Sequence, residues 1–398
     1  MRQAVVLTSY PFPDDAATAS RTHALARVLA EQDEWQVTVI GPGPSGGVRG
    51  RTSNPPRHSQ GGNQDELPYQ IHYYPGPNYS RSNLIARAFG ELQQVSRLFR
   101  GVRREQPDLV VATVPSPFLL FAPYVLSKKR TIIDVRDLVW EYLAGDKGLR
   151  RWAGYALRRF ARHAVSRCAA VTATNEHEAK SLHEIAGKAP TVLRNGLAAD
   201  RFERLVSLKP RASGYDPLHV VYIGNIGVAQ ELDTVIEAVA GAPEYQVSIV
   251  GGGTDAPRIE RLVQALGAGN ITMTGPLPWD QTLAYCESAD VLYGQIGAAY
   301  TTAVPTKIFE YVATGRPTLF AVPEGPAAEV IDQFTGIERL PPGDVSRLRE
   351  KLDTIRQQGD LVGLDASYDR ELIRRKYLRE SAVRPLIALA ERIVTADA

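Results

Sequence analysis

Lys307 and Glu310 stand one helical turn apart in the stretch Val304-Pro305-Thr306-Lys307-Ile308-Phe309-Glu310-Tyr311-Val312-Ala313-Thr314-Gly315-Arg316-Pro317. Pro305 suits a first helical turn, where its missing N–H costs nothing, and Gly315-Arg316-Pro317 stops the helix before the apolar run Thr318 to Val322. The free N–H groups and positive dipole end near Thr306 favour an anion. Residues three apart share a helix face, so a phosphate at Lys307 and a ribose diol on Glu310 would make this turn a nucleotide cradle. An i,i+3 surface ion pair on an ordinary amphipathic helix fits the same residues.

A site of this kind needs a sheet behind it. Apolar β-rich runs alternate with helical-period segments for most of the chain, the pattern of parallel sheets covered by helices. The first series of strands is read at Ala4 to Leu7, Gln36 to Ile40, Gln70 to Tyr74, Leu109 to Ala112, Arg130 to Asp134, Ala170 to Ala173 and Thr191 to Leu193. Helices are read between them at Ala19 to Glu31, Asn83 to Arg104 and Leu149 to Cys168. The second series comprises strands His219 to Ile223, Gln246 to Val250, Ile271 to Thr274, Val291 to Tyr293 and Thr318 to Val322, with helices Leu232 to Ala240, Asp255 to Leu266, Trp279 to Ser288 and Pro305 to Thr314. The reading is α/β: two doubly wound, Rossmann-like domains, 1–200 and 201–376, with Arg201 to Pro217 as the linker. Residues 43–66, rich in Gly, Ser, Pro, Asn and Arg without periodicity, read as a long loop at a strand's C-terminal end, either a lid or a disordered insertion.

The 398 residues suffice for two or three domains with full cores, and a net charge of +2 points to no particular partner. No run of about 18 apolar residues occurs, and Met1 to Thr8 reads as a strand rather than a signal segment, so a cytoplasmic location is expected. Only two cysteines, Cys168 and Cys286, and seven scattered histidines argue against a disulfide framework or a protein-built metal centre.

The second half carries an ordered set of signatures. These are Val220-Val221-Tyr222-Ile223-Gly224-Asn225-Ile226-Gly227, Asp233-Thr234-Val235-Ile236-Glu237-Ala238, Val247-Ser248-Ile249-Val250-Gly251-Gly252-Gly253, Asn270-Ile271-Thr272-Met273-Thr274-Gly275 and the Pro-Thr-Lys-x-x-Glu-Tyr helix. Together they resemble the nucleotide-binding half of a family 4 glycosyltransferase of GT-B architecture, two Rossmann-like domains facing a central cleft. The Lys-x-x-Glu-Tyr form resembles the branch that builds colanic acid and O-antigen polysaccharides. Asp134-Val135-Arg136-Asp137-Leu138-Val139-Trp140-Glu141 and Thr191-Val192-Leu193-Arg194-Asn195-Gly196 extend the resemblance into the first half.

The resemblance implies a retaining, metal-independent transferase of the hexosyl or N-acetylhexosaminyl type that uses no cofactor. It would move a sugar from a nucleotide diphosphate donor, UDP being the expected carrier, to a glycan or lipid-linked hydroxyl. In the family the second Glu of an E-x7-E motif holds the ribose, which falls on Glu310; the first, which contacts the donor sugar, falls on Thr302. The Arg and Lys that grip the diphosphate fall on Asn225 and Gln230. Lys307 and the backbone around Gly224, Gly227 and Pro305-Thr306 would then supply the compensation, with Arg316 or Arg194 nearby. Gly251 and Gly252 would line the nucleotide cleft, and the base would lie against Thr274-Gly275-Pro276-Leu277. The glycine turn after the first strand is replaced by Ser9 to Ser20, where Ala17, Thr18 and Ala19 would let backbone approach sugar or acceptor and Thr18 or Ser20 would cap the helix. A histidine near the reacting centre falls on Arg136, followed by Asp137; these would bind a phosphate and orient or deprotonate a hydroxyl, or pair with each other and cap the loop. The C-terminal helix 377–398 would pack back on the first domain.

Two helices, 81–104 and 147–167, are rich in arginine around apolar or aromatic residues. Each fits either a face lying on the anionic inner surface of the plasma membrane or a helix packed on its own sheet with arginines in water. No nucleic-acid module accompanies them. The departures at Asn225, Gln230, Thr302 and Arg136 leave two rivals: a silent GT-B protein that binds a nucleotide or partner, and a nucleotide-sugar epimerase.

Overall fold

The computed structural model describes residues 1–10, 17–43, 67–74, 84–114, 116–136, 138, 140–141, 148–209, 216–359, 361 and 363–397. The chain divides into two units, Met1–Asn195 with Arg379–Ala398, and Gly196–Leu378. The loop read at 43–66 lies, beyond Gly43, outside the described residues.

Unit 1 is built on strands β1 (Arg2–Leu7), β2 (Trp35–Pro42), β3 (Gln70–Tyr74), β4 (Leu109–Val114), β5 (Thr131–Val135), β6 (Ala170–Ala173) and β7 (Thr191–Val192). They pair in parallel in the order β3-β2-β1-β4-β5-β6-β7. Its helices include α1 (Ala17–Ala30), α2 (Leu84–Glu105), α3 (Leu149–Arg167) and α4 (Glu176–Ala186). Successive side chains on a strand face opposite ways. Val5 and Leu7 therefore join Leu98 and Phe99 of α2 and Ala161 and Val165 of α3, while Ala4 and Val6 join Leu25 and Leu29 of α1. Burial on both faces is why these strands read as unbroken apolar runs.

One ion pair sits where α1, β5 and the end of β7 meet. The Arg21 guanidinium donates to both oxygens of Asp134, at 2.9 Å from Nε and 2.6 Å from Nη2, and through Nη1 to Leu193 O (2.9 Å) and Asn195 Oδ1 (3.2 Å). Thr172 Oγ1 donates to the same carboxylate at 2.7 Å. Burial disfavours the Asp134 charge, but Arg21 and Thr172 more than offset it and hold its pKa below the ordinary carboxylate value.

Unit 2 begins with α5 (Ala199–Val206) and carries β8 (Leu218–Ile223), β9 (Tyr245–Val250), β10 (Ile271–Gly275), β11 (Val291–Gln295), β12 (Thr318–Ala321) and β13 (Ile337–Leu340). The sheet is again parallel, in the order β10-β9-β8-β11-β12-β13. Its helices include α6 (Asp233–Val239), α7 (Ala256–Ala265), α8 (Trp279–Ser288), α9 (Lys307–Thr314), α10 (Pro326–Ile331), α11 (Val345–Gln358) and α12 (Ala366–Leu372). One face packs Val221, Leu292 and Phe320 against Ile308, Phe309 and Val312 of α9; the other packs Val220, Val247 and Leu319 against α6 and Leu348 and Leu352 of α11. Both units are thus doubly wound, Rossmann-like sheets.

The stretch read as a linker, Arg201 to Pro217, differs in the structure. Its first part is α5, whose Phe202 and Leu205 enter the unit 2 core, and residues 210–215 lie outside the described set. After α12 a π-helical turn, Ile373–Tyr377, keeps Ile373 and Tyr377 in the same core. The chain then re-enters unit 1, where Leu386, Leu389 and Ile393 of α13 (Pro385–Asp397) share the core of Leu25 and Leu29.

Removing one partner of a buried pair leaves an uncompensated charge, at a cost of about 3–5 kcal/mol. Arg21→Ala should lower the stability of unit 1 by that order in urea unfolding. Arg21→Met with Asp134→Leu, which removes both charges, should recover most of the loss.

Candidate functional site

In unit 2 the sheet order sets β8 beside β11 although their outgoing connections turn in opposite directions. The crevice beyond the C-terminal ends of two such strands is where doubly wound sheets take ligands. The end of β8 is pinned to α9 through Tyr311, which is fully buried. Its hydroxyl donates to Ile223 O at 3.0 Å and accepts from Ile223 N at 2.9 Å.

That anchoring fixes where the start of α9 points. The Lys307 side chain crosses Gly224, so that a Cβ on Gly224 would stand 2.1 Å from Lys307 Cε and 2.5 Å from Nζ. Lys307 is half-buried, and among the described residues it makes no ion pair or hydrogen bond. Burial lowers its pKa below the ordinary lysine value, and the nearby charge of Glu310 only partly opposes this. The i,i+3 ion pair is accordingly not formed: Glu310 lies 3.9 Å from Arg201 Nη1, and the Arg201 guanidinium also covers the Trp279 ring at 5.0 Å.

The loops that follow β8, β9 and β10 meet backbone to backbone. Gly251 N donates to Gly275 O at 3.0 Å and Ile226 N to Gly252 O at 2.9 Å. A Cβ on Gly251 would fall 1.8 Å from Gly224 O, so only glycine fits there. Pro276 packs beside Gly252, which brings the Gly275-Pro276-Leu277 loop next to Gly224 and Gly251. Asn225 and Gln230, which occupy the positions of the two expected cations, bond each other: Asn225 Nδ2 donates to Gln230 Oε1 at 3.2 Å, and Gly227 N to the same oxygen at 3.1 Å. The amides shape the loop and bring no charge.

Several expected residues lie elsewhere. Arg316 is 5% exposed, and its guanidinium donates to the carbonyls of Cys286 (3.3 Å), Lys209 (2.7 Å) and Glu287 (3.0 Å), so it ties α9 to α8 and is not turned to an anion. Arg194 pairs with Glu176 in unit 1. Thr302 is buried in the loop between β11 and α9. In unit 1 Arg136 follows β5 directly, while Asp137 lies outside the described residues. Helix α1 already starts at Ala17, so Ser20 is inside it and does not cap it; Ala19 is buried, and the side chains of Ala17 and Thr18 lie outside the described set. Among the described residues no three His, Cys, Asp or Glu side chains gather as a metal-ligand set. Arg201 was not singled out from sequence, because nothing in its local pattern reveals a partner more than a hundred residues away.

Comparison with known proteins agrees with this layout. The sequence model of Glycosyltransferase Family 4 matches residues 18–201, and that of Glycosyl transferases group 1 matches residues 209–363. No curated protein matches the chain. Among solved structures, sucrose-phosphate synthase from Thermosynechococcus elongatus superposes with a TM-score of 0.76 at 16% identity, covering 100% of both chains. HepE of Anabaena in complex with UDP and glucose gives 0.64 at 12% identity, covering 100% of this chain and 99% of that one. The α,α-trehalose 6-phosphate synthase of Burkholderia multivorans gives 0.67 at 13% identity, covering 100% of both.

A half-buried ammonium with no partner among the described residues weakens the empty protein and strengthens its hold on an anion. Lys307→Met should therefore melt no lower than the wild type without ligand, yet bind inorganic pyrophosphate about 10- to 100-fold more weakly, the loss expected for one charge-assisted contact. Because the unfolded chain keeps the Lys307 proton to higher pH than the folded one, wild-type stability should gain on the variant as pH rises toward the ordinary lysine value. Thermal melts against pH and calorimetric titration check both.

Proposed function

The chain is a glycosyltransferase of family 4 type with GT-B architecture, and from that premise we propose that unit 2 binds the diphosphate of a nucleotide sugar across Gly224 and Lys307. The observation that carries this is the Lys307 ammonium, half-buried, without a partner among the described residues, and laid over Gly224 at the crevice between β8 and β11. Glu310 then takes the ribose diol, with Arg201 fixing its carboxylate, and the base rests on the Gly275-Pro276-Leu277 loop. UDP is the first base to test, since HepE is described with UDP and glucose.

Departure of the nucleoside diphosphate breaks the bond between the anomeric carbon and the phosphate oxygen and leaves charge on that oxygen. Lys307 is already in place to stabilise it, without reorganisation at the moment of reaction; the N–H groups expected to help do not, since Gly224 N is spent on Val250 O (2.8 Å) and Gly227 N on Gln230 Oε1 (3.1 Å). The acceptor is a glycan or lipid-linked hydroxyl held by unit 1, where Arg136 and Asp137 are the candidates to bind its phosphate and accept its proton. The transfer is of a hexosyl or N-acetylhexosaminyl group, retains the anomeric configuration and needs no metal. The Lys-x-x-Glu-Tyr helix favours the colanic-acid and O-antigen branch of polysaccharide synthesis.

The Asn225–Gln230 pairing favours one rival, a silent protein that binds nucleotide without turnover. Titration with UDP, GDP, ADP, dTDP and CMP, with and without EDTA, separates the readings when combined with donor hydrolysis. One diphosphate should bind with a Kd between ~1 μM and ~1 mM, unchanged by EDTA and weakened about tenfold or more by Glu310→Ala, and its sugar conjugate should turn over slowly. Binding without any turnover supports the silent reading; no binding at all removes the donor site.

The acceptor side includes an exposed aromatic and basic face. On α3, Trp152 is 72% exposed and Tyr155 is exposed, flanked by Arg151, Arg158, Arg159 and Arg162, while Ala161, Ala164 and Val165 hold the helix to the core. The apolar stripe of α2 divides: Val95 and Leu98 are in the core, whereas Phe89 is 69% and Leu92 43% exposed. No helix among the described residues is long and apolar enough to cross a membrane. This face suits peripheral contact with an anionic inner leaflet, at about 1 kcal/mol per basic residue near the surface. Binding to vesicles containing phosphatidylglycerol should fall at least tenfold in Arg158→Glu with Arg159→Glu, and should weaken as salt is raised; sedimentation measures it.

A further inference from the structure

We propose that Glu231 is the carboxylate that recognises the hydroxyl groups of the transferred sugar, an assignment that rests on the donor reading above and fills the place where the sequence offers only Thr302. Glu231 adopts φ 40°, ψ 52°, the left-handed region that a residue with a side chain enters at a cost. Such strain persists only where the surroundings over-determine it, and it concentrates at functional sites.

The surroundings do over-determine it. Gln295, 2% exposed at the end of β11, donates from Nε2 to Glu231 O at 3.0 Å and to Thr234 Oγ1 at 3.1 Å, and lies 3.5 Å from Glu231 Oε2. The amide is itself oriented by Tyr293, whose hydroxyl donates to Gln295 Oε1 at 2.5 Å. The carboxylate rests on Gly297, where a Cβ would fall 2.1 Å from Glu231 Oε1, and Gly297 N donates to Ala229 O at 2.8 Å. The residue is therefore held between the loop after β8 and the loop after β11, on the two sides of the crevice that Lys307 overlooks.

No cation closes on it: among the described residues Glu231 forms no ion pair. A carboxylate kept beside an anion-binding crevice without a counter-charge raises the electrostatic cost of binding phosphate, so it needs donors from the ligand to justify its place. Sugar hydroxyls supply them as charge-assisted hydrogen bonds. The same charge repels a carboxylated sugar, so the site selects neutral, hydroxyl-rich sugars over uronic acids.

Calorimetry of UDP, UDP-glucose and UDP-glucuronic acid with wild type, Glu231→Gln and Glu231→Gly tests this, the base being exchanged for whichever the diphosphate panel selects. In Glu231→Gln the ratio of the UDP-glucose Kd to the UDP Kd should rise about tenfold, with UDP itself changed by less than about threefold and discrimination against the glucuronate reduced. Glu231→Gly should show the same ratio change with a melting midpoint no lower than wild type, because glycine accepts the left-handed backbone. An unchanged ratio in both variants overturns the assignment. So does a parallel loss of UDP and UDP-glucose, which would make Glu231 a support for the loop rather than a sugar ligand. If the wild type binds none of the diphosphates, the donor reading itself fails and takes the assignment with it.

Discussion

Right-handed crossovers oblige a chain that has built a parallel sheet in one direction to return to its first strand before building in the other. In unit 2 that return sets β8 beside β11 and leaves the ends of these two strands uncovered by a crossover. Lys307 reaches the gap from α9, the Gly224 turn enters it from β8, and Glu231 and Gly297 close it from opposite sides. None of these positions has independent meaning. Tyr311 holds α9 to the last residue of β8, so a shift of either element would carry the ammonium off Gly224.

The two units handle buried charge in opposite ways. Arg21 and Asp134 bond each other twice and spend most of their remaining capacity on Leu193 O, Asn195 and Thr172, so little polar valence is left for a ligand. Among the described residues half-buried Lys307 has no such partner, and Glu231 has a strained backbone and no counter-charge. Fully satisfied charge specifies a fold; charge left incomplete in the interior stores an attraction that a ligand can complete. The Asn225–Gln230 pair makes the same point by contrast, because neutral amides that satisfy each other can shape a loop but not neutralise a phosphate.

Much of this was legible in the sequence for a simple reason. A strand buried on both faces must be apolar throughout, and the twelve stretches picked out on that ground, from Ala4–Leu7 to Thr318–Val322, all become strands of the two sheets. The last strand, β13, escaped because Glu338 and Arg339 interrupt its apolar run at the sheet's edge. The segment 201–217 misled because charged residues and proline look like a linker, whereas Phe202 and Leu205 at helical spacing fix its first turns in the core. Within the site, Lys307 and Glu310 announce themselves by capping and spacing. Glu231 and Arg201 do not: their significance lies in a backbone dihedral and in distant partners, Gln295 and Gly297 for the first, Trp279 and Glu310 for the second. Arg316 was equally opaque, since a cation beside an anion site and a cation that binds three carbonyls are the same letter.

Unit 1 is assembled from two pieces of chain separated by the whole of unit 2. Its second core lacks Leu386, Leu389 and Ile393 until α13 arrives. On the ribosome, which releases the chain from its N-terminus at roughly 5–20 residues per second, the face of α1 (Ala17–Ala30) must wait until α13 (Pro385–Asp397) is made, after the whole of unit 2. During that interval unit 2, being continuous, can complete its own core first. The order of maturation is thus the reverse of the order of synthesis: the later-made unit is finished before the earlier one, and an incomplete chain exposes its apolar surface on the half that was translated first.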